Sequence, residues 1–185
     1  MPPRLELGRA GRPRRPGPAA GTGRRKGLTA AATMTEVIIH FICRGNSFRS
    51  ILAEAYLNSL TIKNLRAASS GTTAAADRPG NLNAYTATLR LLAKKGIRQF
   101  AKADFGDQVT QSRLAGADVV ICMNQRVYDE CQQLVTLPAG TRIWSVADIG
   151  EPGRIAPNES GKDLRREEVY EEIVEGISQL VSEVS

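Results

Sequence analysis

The sequence predicts an α/β fold of three layers, α/β/α, built on a doubly wound parallel central sheet of about four strands. Three observations carry that prediction. Short strand-like runs recur at 37–42, 65–70, 117–123 and 141–146, and all but the second carry β-branched residues. Segments with apolar residues at helical spacing follow each of them. Strands that alternate with helices in this way pair in parallel and are covered on both faces. A chain of 185 residues is long enough for one such domain with a substantial core.

Residues 1–33 differ from the rest. They are rich in Pro, Gly, Ala and Arg and show no apolar period. Eight Arg and Lys against the single Glu6 give this stretch a charge of +7; the whole chain carries +6, which leaves −1 on residues 34–185. The basic pI therefore belongs to the extension and says little about what the domain binds. The expected reading is a disordered basic extension, with the domain beginning at Met34. A transit peptide competes with it, although Pro and Gly spoil an amphipathic helix. So does a nucleic-acid-binding arm, although no aromatics are interleaved to stack on bases; no nucleic-acid partner is expected. No apolar run is long enough for a secretory core or a membrane span, so no membrane partner is expected either. Cys43, Cys122 and Cys131 are an odd set without zinc spacing. They suit a reducing cytoplasm better than a disulfide framework, and no metal is expected.

The domain opens on Val37-Ile38-Ile39-His40-Phe41-Ile42, a β-branched and aromatic run that reads as a buried strand. Ile51, Leu52, Ala55 and Tyr56 then fall at helical spacing. Leu65 to Ser70 reads as a second strand, ending in Ser69-Ser70-Gly71-Thr72. A loop over Thr73–Asn81 is expected next, and then a helix marked by Leu82, Tyr85, Leu89 and Leu92 and closed by Gly96. Residues 107–115 suggest a short third helix. Ala117 to Met123 is a further strand, Gln125 to Val135 a helix, and Thr141 to Val146 the last strand. Val169, Ile173, Ile177, Leu180 and Val184 mark a long final helix. His40, the single histidine, is read as a core or sheet residue.

Between the first strand and first helix lies Cys43-Arg44-Gly45-Asn46-Ser47-Phe48-Arg49-Ser50. A helix start presents unpaired N–H groups and partial positive charge, so it binds oxyanions. Successive N–H groups of a tight loop converge into an anion nest. Gly45 supplies backbone freedom, and Asn46 tolerates a left-handed conformation. Arg49 has the fork to hold two oxygens of a phosphate. Cys43 faces the same positive field, which favours its thiolate. The pattern joins a nucleophile to a cradle for its target.

In this stretch the chain resembles the low-molecular-weight protein-tyrosine phosphatases and the related thioredoxin-type arsenate reductases. Their signature is Cys-x5-Arg-Ser between first strand and first helix, matched by Cys43, Arg49 and Ser50. Ser69-Ser70-Gly71-Thr72 is similar to a Ser-Ala-Gly-Thr of the family. The resemblance implies the phosphatase I-like form of the fold and a phosphomonoester hydrolase that needs no cofactor. Cys43 would attack phosphorus, while Arg49 and the loop residues Arg44, Gly45, Asn46, Ser47 and Phe48 hold the phosphoryl group. Ser50 would hydrogen-bond the sulfur, and Asn46 would hold the loop's shape. The family's general acid is an aspartate after the last strand, usually followed by proline. Asp148 matches it in place, although Ile149 stands where the proline would be; Glu151, which precedes Pro152, is the substitute. The implied substrate is a phosphorylated protein or a small phosphoester.

Departures from the pattern leave alternatives open. Many of these phosphatases carry a second cysteine before the arginine, and Phe48 stands there instead. The Thr73–Asn81 stretch and Ile149-Gly150 contain no aromatic to stack on a phosphotyrosine ring, which leaves Phe48 and Tyr85 as candidates. The reductases use a redox pair after the strand at 117–123, where Asn124 and Cys131 fall in register. One of that pair is missing, so reduction of arsenate would need an external thiol. Cys122 is read as a buried strand cysteine. A third alternative is a catalytically weak anion-binding regulatory protein.

Overall fold

The computed structural model describes residues 35–149 and 159–184. The extension 1–33 and Glu151 lie outside them. The chain runs β1 (Val37–Cys43), α1 (Arg49–Ser59), β2 (Leu65–Gly71), α2 (Ala74–Lys94), a 3-10 turn (Arg98–Phe100), α3 (Gln111–Leu114), β3 (Val119–Cys122), α4 (Gln125–Gln132), β4 (Arg142–Ile143) and α5 (Glu159–Val184). The four strands form one parallel sheet in the order β2-β1-β3-β4. The expected α/β sheet of four parallel strands is therefore present.

Strand parity sorts the core into two layers. Ile39, Phe41 and Cys43 of β1 join Ile121 and Met123 in a cluster with Ile51, Leu52 and Ala55 of α1 and Val169, Ile173 and Ile177 of α5. Ile42 points the other way, into a smaller cluster with Val120, Cys122, Leu114, Val127 and Cys131. Fully burying a side chain such as Phe41 or Ile173 contributes about 1.5–3 kcal/mol each, and both are 0 % exposed. β1 is the pivot: the chain leaves it for β2 on one side and later returns to β3 on the other. Such a switch point opens a crevice at the strand C-termini, and Cys43 ends β1 there.

Two expectations need correction. The stretch Thr73–Asn81 is not a loop, because α2 already begins at Ala74 and carries Pro79 within it. Proline removes one helical donor, but residues 75–80 are exposed, so water can bond the carbonyl left over. Arg78 pins this end by bonding Asp104 and the Phe105 carbonyl, with its guanidinium 5.0 Å over the Phe105 ring. One consequence is that Leu82 lies on the outer face and is 57 % exposed. The last strand is also shorter than expected. β4 has two residues, yet Trp144 and Val146 still donate to the carbonyls of Cys122 and Met123, so the chain runs on beside β3 as far as Val146.

Candidate active site

The loop between β1 and α1 owes its shape to a few side chains. Asn46 takes φ +45°, the left-handed conformation its side chain tolerates. Its amide donates to Ser50 Oγ at 3.1 Å and Ser69 Oγ at 2.8 Å, while its Oδ1 accepts the Asp107 backbone N–H at 3.0 Å. Every polar atom of that buried side chain is thus used, which leaves it one rotamer. Gly71, at the end of β2, is required by close approach. A Cβ there would stand 2.2 Å from the Arg44 carbonyl oxygen and 2.7 Å from the Asn46 nitrogen. The β2 exit is stitched to the loop by Thr72 and Thr73 N–H groups donating to the carbonyls of Cys43 and Arg44, each at 3.0 Å.

Behind the loop sits a second polar layer. Ser69 donates to Glu54, and Lys102 donates to the Ser69 carbonyl at 3.0 Å and to Asp107 at 2.8 Å. Burial raises the Glu54 carboxyl above its ordinary value, and the Lys102 charge partly restrains that rise. His40 bonds Ser70 Oγ at 2.7 Å and is lowered to about 4, first by burial and then by the charges of Lys102 and Arg113. It is a neutral sheet residue, as the sequence suggested.

At the front, Cys43 Sγ lies 3.0 Å from Ser50 Oγ in the first turn of α1. Arg49 is only 2 % exposed. Its guanidinium donates to the Val146 carbonyl at 2.8 Å and to Asp148 Oδ2 at 2.7 Å. The run of chain beside β3 therefore delivers Asp148 to the same rim as Cys43, half-exposed and held by the arginine. A cavity of about 270 Å³ opens over the cysteine. Cys43, Arg44, Gly45, Ser47, Phe48, Arg49 and Asp148 all line it, so these predicted residues come together in one place. Asn46 and Ser50 are buried beneath. Arg44 is turned toward α4, with Nε 3.0 Å from Glu130.

Other wall residues escaped the sequence reading. Asp77, Asn81 and Ala84 of α2 line the cavity, with Ile149 and with Arg166 of α5. Asp77, Asn81 and Ala84 have the spacing of one helix face, a signal hidden by Pro79 and Gly80. Nothing local marks Arg166. Tyr85 is not a wall residue: it stacks on Phe105 with centroids 4.5 Å apart and donates to the Lys102 carbonyl. Phe48 is the one aromatic among the lining residues. The two positions compared with a redox pair are structural. Asn124 caps α4 by accepting the Val127 N–H at 3.0 Å, and Cys131 is fully buried beside Cys122. The Cys131 thiol is pushed up by a hydrogen bond to Cys122 and by burial.

A family model for low molecular weight phosphotyrosine protein phosphatases matches residues 38–185. Solved structures share the fold. Wzb from Vibrio vulnificus, in complex with benzylphosphonate, superposes with a TM-score of 0.60 at 17 % identity, covering 78 % of this chain and 99 % of that one. A low molecular weight protein tyrosine phosphatase from T. tengcongensis gives 0.56 at 22 % identity, covering 77 % and 99 %. A thioredoxin-dependent arsenate reductase from Corynebacterium glutamicum gives 0.53 at 20 % identity, covering 82 % and 65 %. No curated protein matches the sequence. The chain belongs to the low molecular weight phosphotyrosine protein phosphatase family and is an enzyme of that type.

Proposed function

We propose that this family member is a phosphomonoester hydrolase, in all its chemistry a protein-tyrosine phosphatase, that works through a cysteinyl-phosphate intermediate. One observation carries the reading: Cys43 Sγ sits at the mouth of α1, 3.0 Å from Ser50 Oγ, with the buried Arg49 and the Asp148 carboxylate on the same rim.

A phosphate dianion entering the cavity meets the loop amides, the positive end of α1 and Arg49. It competes with Asp148 for the guanidinium, which frees the carboxyl to face the leaving oxygen. Cys43 forms the S–P bond in line as the P–O bond breaks, and Asp148 gives the departing oxygen its proton. The loop N–H groups and Arg49 hold the three equatorial oxygens throughout. Water then attacks phosphorus, loses its proton to Asp148 and releases inorganic phosphate, while the S–P electrons return to sulfur. Ser50 Oγ is placed to donate to that sulfur as it leaves. A free Cys43 thiol persists in a reducing compartment, so the reading fits a cytoplasmic enzyme; among the described residues no helix is long and apolar enough to cross a membrane.

The test is hydrolysis of 4-nitrophenyl phosphate without added thiol. Parent protein is expected to turn over with inorganic phosphate as product, and Cys43→Ser to be inactive. Parent that is inert toward aryl phosphates, yet consumes thiol when given arsenate, would replace this reading by oxyanion reduction.

A further inference from the structure

We propose that Arg44, braced by Glu130 of α4, is the specificity-determining residue for the organic part of the substrate: its guanidinium plane receives the aromatic ring of an aryl phosphate. This deepens the phosphatase reading and rests on it.

A ring that enters a cavity of about 270 Å³ needs a surface to lie on. The walls offer few. Phe48 is 6 % exposed, so most of its ring is spent in the core. Ala84 and Ile149 give small aliphatic contacts. Asp77 and Asp148 are carboxylates, which the negative face of an aromatic ring repels. Asn81 is taken up with the loop. A Cβ on Gly45 would stand 2.3 Å from its amide nitrogen, so the amide already fills that space. Three guanidinium groups remain. Arg49 is committed to the phosphoryl oxygens, and Arg166 sits on α5 bonded to Asp163. Arg44 follows Cys43 directly in the loop and lines the same cavity.

Arg44 is held still at one edge. Its Nε donates to both Glu130 oxygens, at 3.0 and 3.3 Å. Glu130 also accepts from Thr72 at the β2 exit and, at 3.1 Å, from Arg126 one turn back along α4. Burial works to raise the Glu130 carboxyl, yet the Thr72 hydroxyl and the charges of Arg44 and Arg126 hold it below its ordinary value. The brace is therefore ionised near neutral pH. Only Nε is used: among the described residues the terminal nitrogens of Arg44 make no hydrogen bond and no ring covers its plane, while the side chain is 34 % exposed. The ion pair thus orients the group and leaves its face open. Arginine stacks on aromatic rings in this way, through the face and not the edge. No surplus charge is needed, since pairing at the edge does not cover the plane. An alkyl phosphate would gain nothing from it.

The experiment titrates the protein by calorimetry with benzylphosphonate and with cyclohexylmethylphosphonate, which match in charge and nearly in size but differ in having a π face. Turnover of 4-nitrophenyl phosphate is assayed separately. Parent is expected to bind the benzyl compound about fivefold more tightly. Arg44→Leu, which keeps an apolar cover without the plane, should bring the ratio of Kd values to about one. Glu130→Gln, which loosens the brace and keeps the arginine, should lower it to about twofold, and Arg166→Leu should leave it at about fivefold. A parent ratio of one, a ratio that survives Arg44→Leu, or one that disappears in Arg166→Leu overturns Arg44 as the reader of the ring. A ratio unmoved in Glu130→Gln removes Glu130 from the role. The expected ratios without turnover of 4-nitrophenyl phosphate would instead sink the phosphatase reading itself.

Discussion

Cys43 and Cys122 end two neighbouring parallel strands, and the register places Cys122 beside Ile42, one residue before Cys43. Their surroundings are opposite. Cys43 meets a hydroxyl, a helix start and a cavity that also holds Arg49. Cys122 is enclosed among Val120, Val127 and Leu114 and shares a hydrogen bond with Cys131. One step along a strand reverses the face of the sheet, and that parity separates the proposed nucleophile from a core residue. Cysteine chemistry here is set by address.

The largest effect should come from removing the sulfur of the proposed nucleophile. Cys43→Ser is expected to lower kcat for 4-nitrophenyl phosphate by about 10⁴-fold or more, as loss of a nucleophile does. Alanine at Cys122 or Cys131 should leave kcat/KM within about twofold of parent. Their cost should fall on stability, about 1 kcal/mol in a urea melt for a small buried group. If Cys131→Ala also abolishes turnover, the second cluster takes part in chemistry and the contrast fails.

Next in size is the proposed acid, Asp148. Asp148→Asn should slow phenyl phosphate by about 10²–10³-fold, and 4-nitrophenyl phosphate, whose leaving group needs less protonation, much less. Equal loss on both would mean that Asp148 orders Arg49 and does not transfer a proton. Ser50→Ala is expected to slow breakdown of the intermediate by about 10–100-fold, the worth of a hydrogen bond to a charged atom. A burst of nitrophenolate before a slow steady state is the signature to look for. No burst and no loss would remove Ser50 from the second step.

The loop motif and the order of elements were legible because they depend on neighbours in sequence. Strand, Cys43, loop, Arg49 and helix follow one another, and residue type marked Asn46 as tolerant of the left-handed conformation it takes. Asp148 was legible one level up, since a parallel sheet puts the ends of its strands on one rim. Asp77, Asn81 and Arg166 were not. Pro79 disguised the first as loop residues, and Arg166 reaches the cavity only because α5 packs against α1. The layer behind the loop was also hidden: Glu54 comes from α1 and Lys102 and Asp107 from the connection between the 3-10 turn and α3, far from the loop in sequence. The length of β4 was overread, because Trp144 and Val146 have strand-like composition and strand-like bonds without extending the ladder.

That hidden layer adds an effect on stability, not on turnover. His40 is held near 4 in the folded chain against an ordinary value of 6.5. The unfolded chain thus takes up a proton as pH falls through 6.5 while the folded chain does not. Stability from the neutral ring is complete above about 6.5 and is lost toward 4, by up to about 3 kcal/mol. Glu54, raised in the folded state, acts with the opposite sign and offsets part of the loss. Urea midpoints at pH 7 and pH 5 should therefore fall less in His40→Gln than in parent. Parallel lines for the two proteins would show that His40 has no such role.

The central claim is that Cys43, and no other group, carries the phosphoryl group between substrate and water. Rapid acid quench of Ser50→Ala during turnover of a radiolabelled aryl phosphate, followed by peptide mapping, reads this directly. Label on the peptide containing Cys43, absent from those containing Cys122 and Cys131 and lost in Cys43→Ser, is the predicted result. Turnover that leaves the protein unlabelled, or places the label on any other residue, would contradict it.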